Sequence, residues 1–294
     1  MGSKERGIEF HNGGGRASLH SAFGLHSKEL EEHLSSSGWS PTPIQSASVE
    51  TLSKGNDGLL VAATGSGKTM AAVLPLLDRC LKEGWQGLSI LYITPLRALN
   101  RDVDRRLHNV ASSVGLSVGL RHGDTTQSDR QKQVRNPPTV LVTTPETFQV
   151  MFSGHRLVSM LQNVKAVVID EVHDLSASER GWQLSLGLAR LERLSGTQVQ
   201  KVGLSATVGN PTKVAEWISP QCVPIVVEGD RRTEIEVQSA QSDALDEAAG
   251  FELGLSPRAH ASLRILGDRI SEKSPCLVFV NSRNAAETVA QRLQ

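Results

Sequence analysis

Ala62-Ala63-Thr64-Gly65-Ser66-Gly67-Lys68-Thr69 decides how this chain is read. It leaves an apolar run, Leu59–Ala63, and opens a stretch with helical spacing, so it sits at a strand-to-helix turn. Glycines at such a turn let backbone N–H groups point inward around phosphate oxygens, and the helix N-terminus adds partial positive charge. Lys68 is placed to reach the β- and γ-phosphates, and the Thr69 hydroxyl suits Mg²⁺. This is the Walker A arrangement with Ala62 at the usual first glycine. It makes Ala63, Thr64, Gly65, Ser66, Gly67, Lys68 and Thr69 the expected phosphate contacts, with ATP and Mg²⁺ as the expected cofactors.

Outward from this loop, short apolar runs alternate with helix-period stretches. Strands are expected at Leu59–Ala63, Ser89–Thr94, Ser117–Leu120, Thr139–Thr143, Lys165–Ile169, Gln200–Leu204 and Pro224–Val227. Most lack period-2 alternation and are rich in Val, Ile and Leu, as strands buried on both faces are; that predicts a mostly parallel sheet flanked by helices. Helices are expected over Thr69–Leu81, kinked at Pro75, and over Glu179–Leu194, with Trp182, Leu186, Ala189 and Leu191 facing the core and Leu184, Leu188 and Leu194 widening that face. The pattern is an open α/β fold.

The domain boundaries read as a loose N-terminal extension over 1–24, an ATP-binding domain over 25–228, a connector over 229–274 and the beginning of a second domain over 275–294. Gly13-Gly14-Gly15 argues against regular structure in the extension. Within the connector, Ser256-Pro257 is expected to cap a helix running toward Ile270. Cys276-Leu277-Val278-Phe279-Val280 reads as a buried strand, followed by a helix from about Arg283.

The 294 residues carry 31 basic and 31 acidic side chains and are 38% hydrophobic, which excludes a disordered or fibrous chain. No apolar run approaches the ~18 residues of a membrane span. The first residues, Met1–Arg6, fit neither a signal peptide nor a myristoylation site. Cys80, Cys222 and Cys276 are few and far apart, so a reducing compartment, the cytoplasm, is expected, with no membrane partner.

A second acidic element supports the phosphate loop. Val167-Val168-Ile169-Asp170-Glu171-Val172-His173 puts two carboxylates at the C-terminal end of a buried strand, the edge where open α/β sheets bind ligands. Asp170 is the expected second Mg²⁺ holder and Glu171 the group that orients and deprotonates the attacking water. Lys68, Asp170 and Glu171 are thus the catalytic candidates, with His173 beside them. Gln45, in Pro43-Ile44-Gln45, carries an amide able to pair with adenine N6 and N7. Thr94-Pro95-Leu96-Arg97 and Thr144-Pro145-Glu146 each end a strand and open a helix, offering hydroxyls, helix N-terminal N–H groups and Arg97 to a sugar–phosphate backbone. Ser205-Ala206-Thr207 ends a further strand.

In this order the elements resemble a superfamily 2 helicase of the DEAD/DEAH type: Gln45 of the Q-motif, motif I at Ala62–Thr69, Ia at Thr94–Leu99, Ib at Thr144–Glu146, II at Asp170–His173 (D-E-V-H) and III at Ser205–Thr207. Val278–Arg283 resembles motif IV. Arg121-His122-Gly123-Asp124-Thr125, Ser178-Glu179-Arg180-Gly181 after motif II, and Phe279–Arg283 are similar to the large helicase-related (Lhr) group. The resemblance implies two RecA-like domains, this chain carrying a P-loop domain and the start of the second. It implies ATP in the cleft and single-stranded DNA or RNA held at Pro95, Arg97, Gly123, Asp124, Thr144, Pro145 and Glu146. Ser205, Ala206 and Thr207, with His173, would couple the two. The group is associated with 3′-to-5′ translocation on DNA, unwinding and DNA repair.

Motifs V and VI do not occur in the 294 residues, so a second RecA-like domain in cis or in trans is expected to supply the arginine finger, and this chain alone to hydrolyse ATP weakly. A non-catalytic binding module and an RNA-directed DEAD-box remodeller are the alternatives. Trp39, Trp85, Trp182 and Trp217 are expected to pack rather than to stack on bases, and Arg101–Arg106 to form a solvated helix face.

Overall fold

The computed structural model describes residues 25–95, 97–228, 235–272 and 275–293, with side chains left aside over 97–102. The chain divides into two compact units, 1–230 and 231–294. The expected extension over 1–24 lies outside the described residues.

In the first unit, α1 (Lys28–Ser36) and α2 (Pro43–Ser53) precede β1 (Gly58–Val61), α3 (Lys68–Glu83), β2 (Ile90–Ile93), α4 (Arg97–Ser113), β3 (Val118–Arg121) and α5 (Gln127–Arg135). Then come β4 (Val140–Thr143), α6 (Pro145–Met151), α7 (His155–Leu161), β5 (Ala166–Ile169), α8 (Val172–Ser176), α9 (Glu179–Ser195), β6 (Gln200–Ser205), α10 (Pro211–Ile218) and β7 (Val223–Val226). The strands form one sheet in the order β3-β4-β2-β5-β6-β1-β7, with every pairing parallel. All seven strands expected within 25–228 are present, each within a residue or two of its expected ends.

Period-2 alternation divides the central strands between two apolar layers. Leu60, Tyr92, Val142, Val168 and Leu204 face the layer built with α1 to α4. Leu59, Ile93, Leu141, Val167 and Ile169 face the layer built with α6 to α10. Double burial accounts for the absence of alternation in the sequence. Helix α3 runs unbroken through the buried Pro75 from Gly67, which takes a left-handed φ of 91°, to a second left-handed glycine, Gly84.

Helix α9 turns differently from the expected face. Gly181, Leu184, Gly187, Leu188 and Leu191 are buried, whereas Trp182 is 70% and Leu186 64% exposed. The glycines decide the rotation. A Cβ on Gly181 would lie 1.9 Å from the Leu175 carbonyl oxygen, and one on Gly187 2.8 Å from the Phe148 ring. The bulky side chains are turned outward because the backbone comes this close. Of the four tryptophans, Trp39, Trp85 and Trp217 pack on the core as expected, and Trp182 does not.

In the second unit, α11 (Ala244–Glu252) and α12 (Pro257–Glu272) precede α13 (Arg283–Arg292). Ser256 Oγ accepts from Ala259 N at 3.2 Å, the expected cap. The acidic part of the connector is helical, which composition hid: Asp243 caps α11 by accepting from Leu245 N and Asp246 N. Asp246 is buried and held by His260 Nδ1 at 2.7 Å and Arg264 Nη2 at 2.9 Å. The strand expected at Cys276–Val280 is not there; Leu277 and Phe279 are exposed and no described strand pairs with them. An apolar run becomes a strand only where a ladder partner and a covering layer exist. No helix among the described residues is long and apolar enough to cross a membrane.

Replacing Gly181 by Ala forces α9 away from a backbone carbonyl, which no side-chain rotation relieves. The expected loss is about 1–3 kcal/mol of unfolding free energy in urea. A loss under 0.5 kcal/mol would mean that α9 shifts freely.

Candidate nucleotide and nucleic-acid site

Parallel register brings the ends of six strands to one edge. Val61 pairs with Ser205, Ile169 with Gly203, Ile93 with both Ile169 and Thr143, and Arg121 with Thr143. The residues that follow β1, β5 and β6 are Ala62–Lys68, Asp170–Glu171 and Ala206–Thr207; those that follow β2, β4 and β3 are Thr94–Pro95, Thr144–Glu146 and His122–Asp124. The candidate ATP residues after β1 and β5, with the candidate coupling residues after β6 between them, therefore occupy one half of the edge and the candidate strand contacts the other.

At the loop, Gly65 and Gly67 take φ of 80° and 91°, the left-handed region closed to most side chains. A Cβ on Gly67 would strike Gln45 Nε2 at 2.5 Å. Gln45 is buried and ties its own helix to the loop: its Oε1 accepts from Thr42 N at 2.9 Å, and its Nε2 donates to Gly67 O at 3.2 Å. Part of the amide expected to read adenine is thus engaged in positioning the loop. Ser48 Oγ adds a second tie, donating to Ala71 O at 2.8 Å. Lys68 Nζ donates to Ala62 O at 2.7 Å and Ala63 O at 3.0 Å. Burial pushes the Lys68 ammonium below the ordinary lysine range, and the Glu171 and Asp170 carboxylates oppose that push.

Asp170 and Glu171 lie where expected. Asp170 Oδ2 accepts from the Tyr92 hydroxyl at 2.7 Å and Oδ1 from Glu171 N at 3.0 Å. Burial raises the Asp170 carboxyl above its ordinary range, against the Tyr92 and Glu171 hydrogen bonds. Burial and the neighbouring Asp170 charge raise Glu171 as well, while His173 and Lys68 lower it. Glu171 has φ of 49°, the one positive φ at a non-glycine among the described residues. Such backbone costs of order 1–3 kcal/mol and persists where surrounding packing imposes it. Here the buried Val172 and Leu175 anchor the short α8 directly behind it.

His173 sits between the acidic pair and β6. Its Nδ1 is 3.2 Å from Ser205 Oγ and 3.4 Å from Glu171 Oε2. The structure thus brings together His173, Glu171 and Ser205; Ala206 is half-buried and Thr207 exposed beyond them.

On the other half of the edge, Thr144 caps α6, its Oγ1 accepting from Thr147 N at 3.3 Å, and is buried there with Pro145. Glu146 is exposed and pairs with Arg180 Nε at 2.7 Å. Arg180 Nη2 also donates to Pro95 O at 3.0 Å. One side chain therefore joins the turn after β2 to the helix after β4. The Arg97 side chain lies outside the described residues. Gly123 and Asp124 are exposed, and Arg130 Nη2 fixes their turn by donating to His122 O at 3.0 Å and Gly123 O at 2.8 Å. Tyr92, Arg180 and Arg130 were not among the sequence candidates. Arg180 alone had a signal, the Ser178–Gly181 pattern, and that assigned it no partner.

The donor set fits a polyphosphate with a divalent cation. Two left-handed glycines precede a helix N-terminus, and Ser66 Oγ beside them is buried without a partner. No cluster of three His, Cys, Asp or Glu among the described residues could hold a metal alone. One carboxylate and one hydroxyl completed by phosphate oxygens is how Mg²⁺ is held at nucleotide sites.

Comparison with known proteins agrees. The family model described as DEAD/DEAH box helicase matches residues 42–214. The chain is 38% identical over 268 residues to the Lhr helicase/probable uracil glycosylase of Mycolicibacterium smegmatis, covering 86% of this chain and 18% of that protein. It is 33% identical over 269 residues to the ATP-dependent helicase Lhr-Core of Methanocaldococcus jannaschii, covering 85% of this chain and 31% of that protein. The solved structure of Mycobacterium smegmatis helicase Lhr bound to ssDNA and AMP-PNP is similar with a TM-score of 0.75 at 34% identity, covering 94% of this chain and 36% of that one. The chain spans about a fifth to a third of the length of these curated relatives. With the phosphate loop, the acidic strand end and Ser205–Thr207 all inside the matched stretch, the chain belongs to the DEAD/DEAH box helicase family.

Proposed function

We propose that this chain is the ATP-binding half of a nucleic-acid helicase or translocase that moves 3′-to-5′ along single-stranded DNA. The observation that carries the reading is the shared sheet edge: Lys68 and Thr69 after β1 with Asp170 and Glu171 after β5, and Pro95, Thr144, Glu146 and Gly123 on the adjoining strand ends. The Lhr structure of Mycobacterium smegmatis, bound to single-stranded DNA and AMP-PNP, supports the same pair of ligands here.

On this reading the loop N–H groups of Ala63–Thr69 hold the phosphates, with Lys68 neutralising the charge that spreads onto the transferring group. Mg²⁺, held by Thr69 and Asp170, would draw off negative charge from the phosphate oxygens. Glu171 takes a proton from the attacking water, and its raised pKa makes it a better base than an exposed glutamate. His173 carries the change at Glu171 to Ser205. A second RecA-like domain, in cis or in trans, closes over the site. DNA is held by its backbone, at positions that carry no sequence information.

Replacing Glu171 by Gln leaves nucleotide affinity within about threefold and lowers hydrolysis by ~10²–10⁴-fold. In the parent chain the acidic limb of the rate profile lies above the ordinary glutamate value of about 4.3, because a raised carboxyl is still protonated, and inactive as a base, at pH values where an exposed one has ionised. Hydrolysis by E171Q at the parent rate would contradict the assignment. Replacing Arg180 by Ala frees the turn after β2 from the helix after β4. It should weaken single-stranded DNA binding about tenfold, or ~1.4 kcal/mol, in fluorescence anisotropy at fixed salt. Unchanged affinity would show that Arg180 does not organise the strand contacts. RNA outcompeting DNA in the same assay would redirect the substrate assignment.

A further inference from the structure

Tyr92 lies in β2, fully buried, in register with Val142 of β4 on one side and Val168 of β5 on the other. Its ring fills the core layer shared with α3. Phenylalanine would fill the same volume, so packing explains the ring and not the hydroxyl. The hydroxyl donates to Asp170 Oδ2 at 2.7 Å. Burial and the Asp170 charge push the phenol well above its ordinary range, and the nearby Thr69 hydroxyl opposes that push. Thr69 opens the helix after β1 and Asp170 follows β5, strands separated by β6. Tyr92 reaches the Asp170 carboxylate from the far side of β5.

We infer that Tyr92 is a positioning residue for the divalent cation, its hydroxyl holding the Asp170 carboxylate in the orientation that lets it serve one ion together with Thr69. The inference rests on the ATP–Mg²⁺ reading above and adds to it a residue that touches neither nucleotide nor metal. With Glu171 N on Oδ1 and Tyr92 on Oδ2, the Asp170 carboxylate is held at both oxygens, and each oxygen keeps a lone pair. Losing such a support for a metal ligand typically weakens metal affinity 10–100-fold.

The test is a Mg²⁺ titration of a fluorescent ATP analogue, mant-ATP, on the parent chain and on Tyr92→Phe. For Y92F the Mg²⁺ concentration giving half-maximal tightening should rise at least tenfold, while mant-ATP affinity in EDTA stays within about twofold. An equal loss with and without Mg²⁺ would mark a packing role and overturn the inference. An unchanged Mg²⁺ dependence would overturn it while leaving the ATP–Mg²⁺ reading intact. No Mg²⁺ dependence in the parent chain would overturn both.

Tyr92 is also the only tyrosine in the sequence, so 3-fluorotyrosine labels this position alone without removing the hydroxyl. The ¹⁹F resonance of the AMP-PNP-bound chain should move when Mg²⁺ is added. A resonance indifferent to Mg²⁺ would overturn the inference even if Y92F failed to fold.

Discussion

Two adjacent carboxylates stand at the end of a strand with no exposed residue, and much of the site answers to that constraint. Desolvation opposes charge on both Asp170 and Glu171, and the Asp170 charge further opposes that on Glu171. The chain offsets this with a small set of groups: the Tyr92 hydroxyl, the Glu171 N–H, the Lys68 ammonium and the His173 ring. None of them neutralises the pair. Both carboxyls stay raised. The left-handed backbone at Glu171 belongs to the same compromise, since it turns the chain out of β5 and directly into α8.

The sheet order gives this constraint its reach. Strands β1 and β5 end in the residues expected to handle ATP, β6 between them in those expected to couple ATP to the strand, and β2, β4 and β3 in those expected to handle a strand. Strand β2 lies at the boundary and carries a link in each direction. Its Tyr92 bonds Asp170 across to β5, and two residues past its end the Pro95 carbonyl is held by Arg180, which also grips Glu146. Arg180 is itself placed by the close approach of Gly181 to the Leu175 carbonyl, at the end of the helix that follows Glu171. A continuous path of packed and bonded groups thus runs from the acidic pair to the candidate strand contacts. It passes once through the sheet and once through α8 and α9.

What the sequence disclosed follows from which forces act locally. All seven strands were legible because burial on both faces leaves unbroken Val, Ile and Leu runs, and the phosphate loop was legible because its chemistry demands particular residues at fixed spacing. Side-chain partners were not. Tyr92 looked like one more apolar residue in Ser89–Thr94, and its partner Asp170 is brought near only by the β2–β5 pairing. Arg180 meets Pro95 and Glu146 across long stretches of chain that no periodicity spans. The face of α9 was misjudged because leucines surround it on several sides, and only the clearances at Gly181 and Gly187 show which side is inward. The missing strand at Cys276–Val280 is the reverse case: the composition was right, and pairing, which local sequence does not encode, was absent.

The most direct test of the central claim is backbone hydrogen exchange on the whole chain with and without AMP-PNP and Mg²⁺. The account predicts slowed exchange in two segments far apart in sequence, Ala62–Thr69 and Asp170–His173, with the Lys68→Ala chain showing neither. Protection confined to the loop, or appearing in neither segment, would contradict a single site built from the ends of β1 and β5.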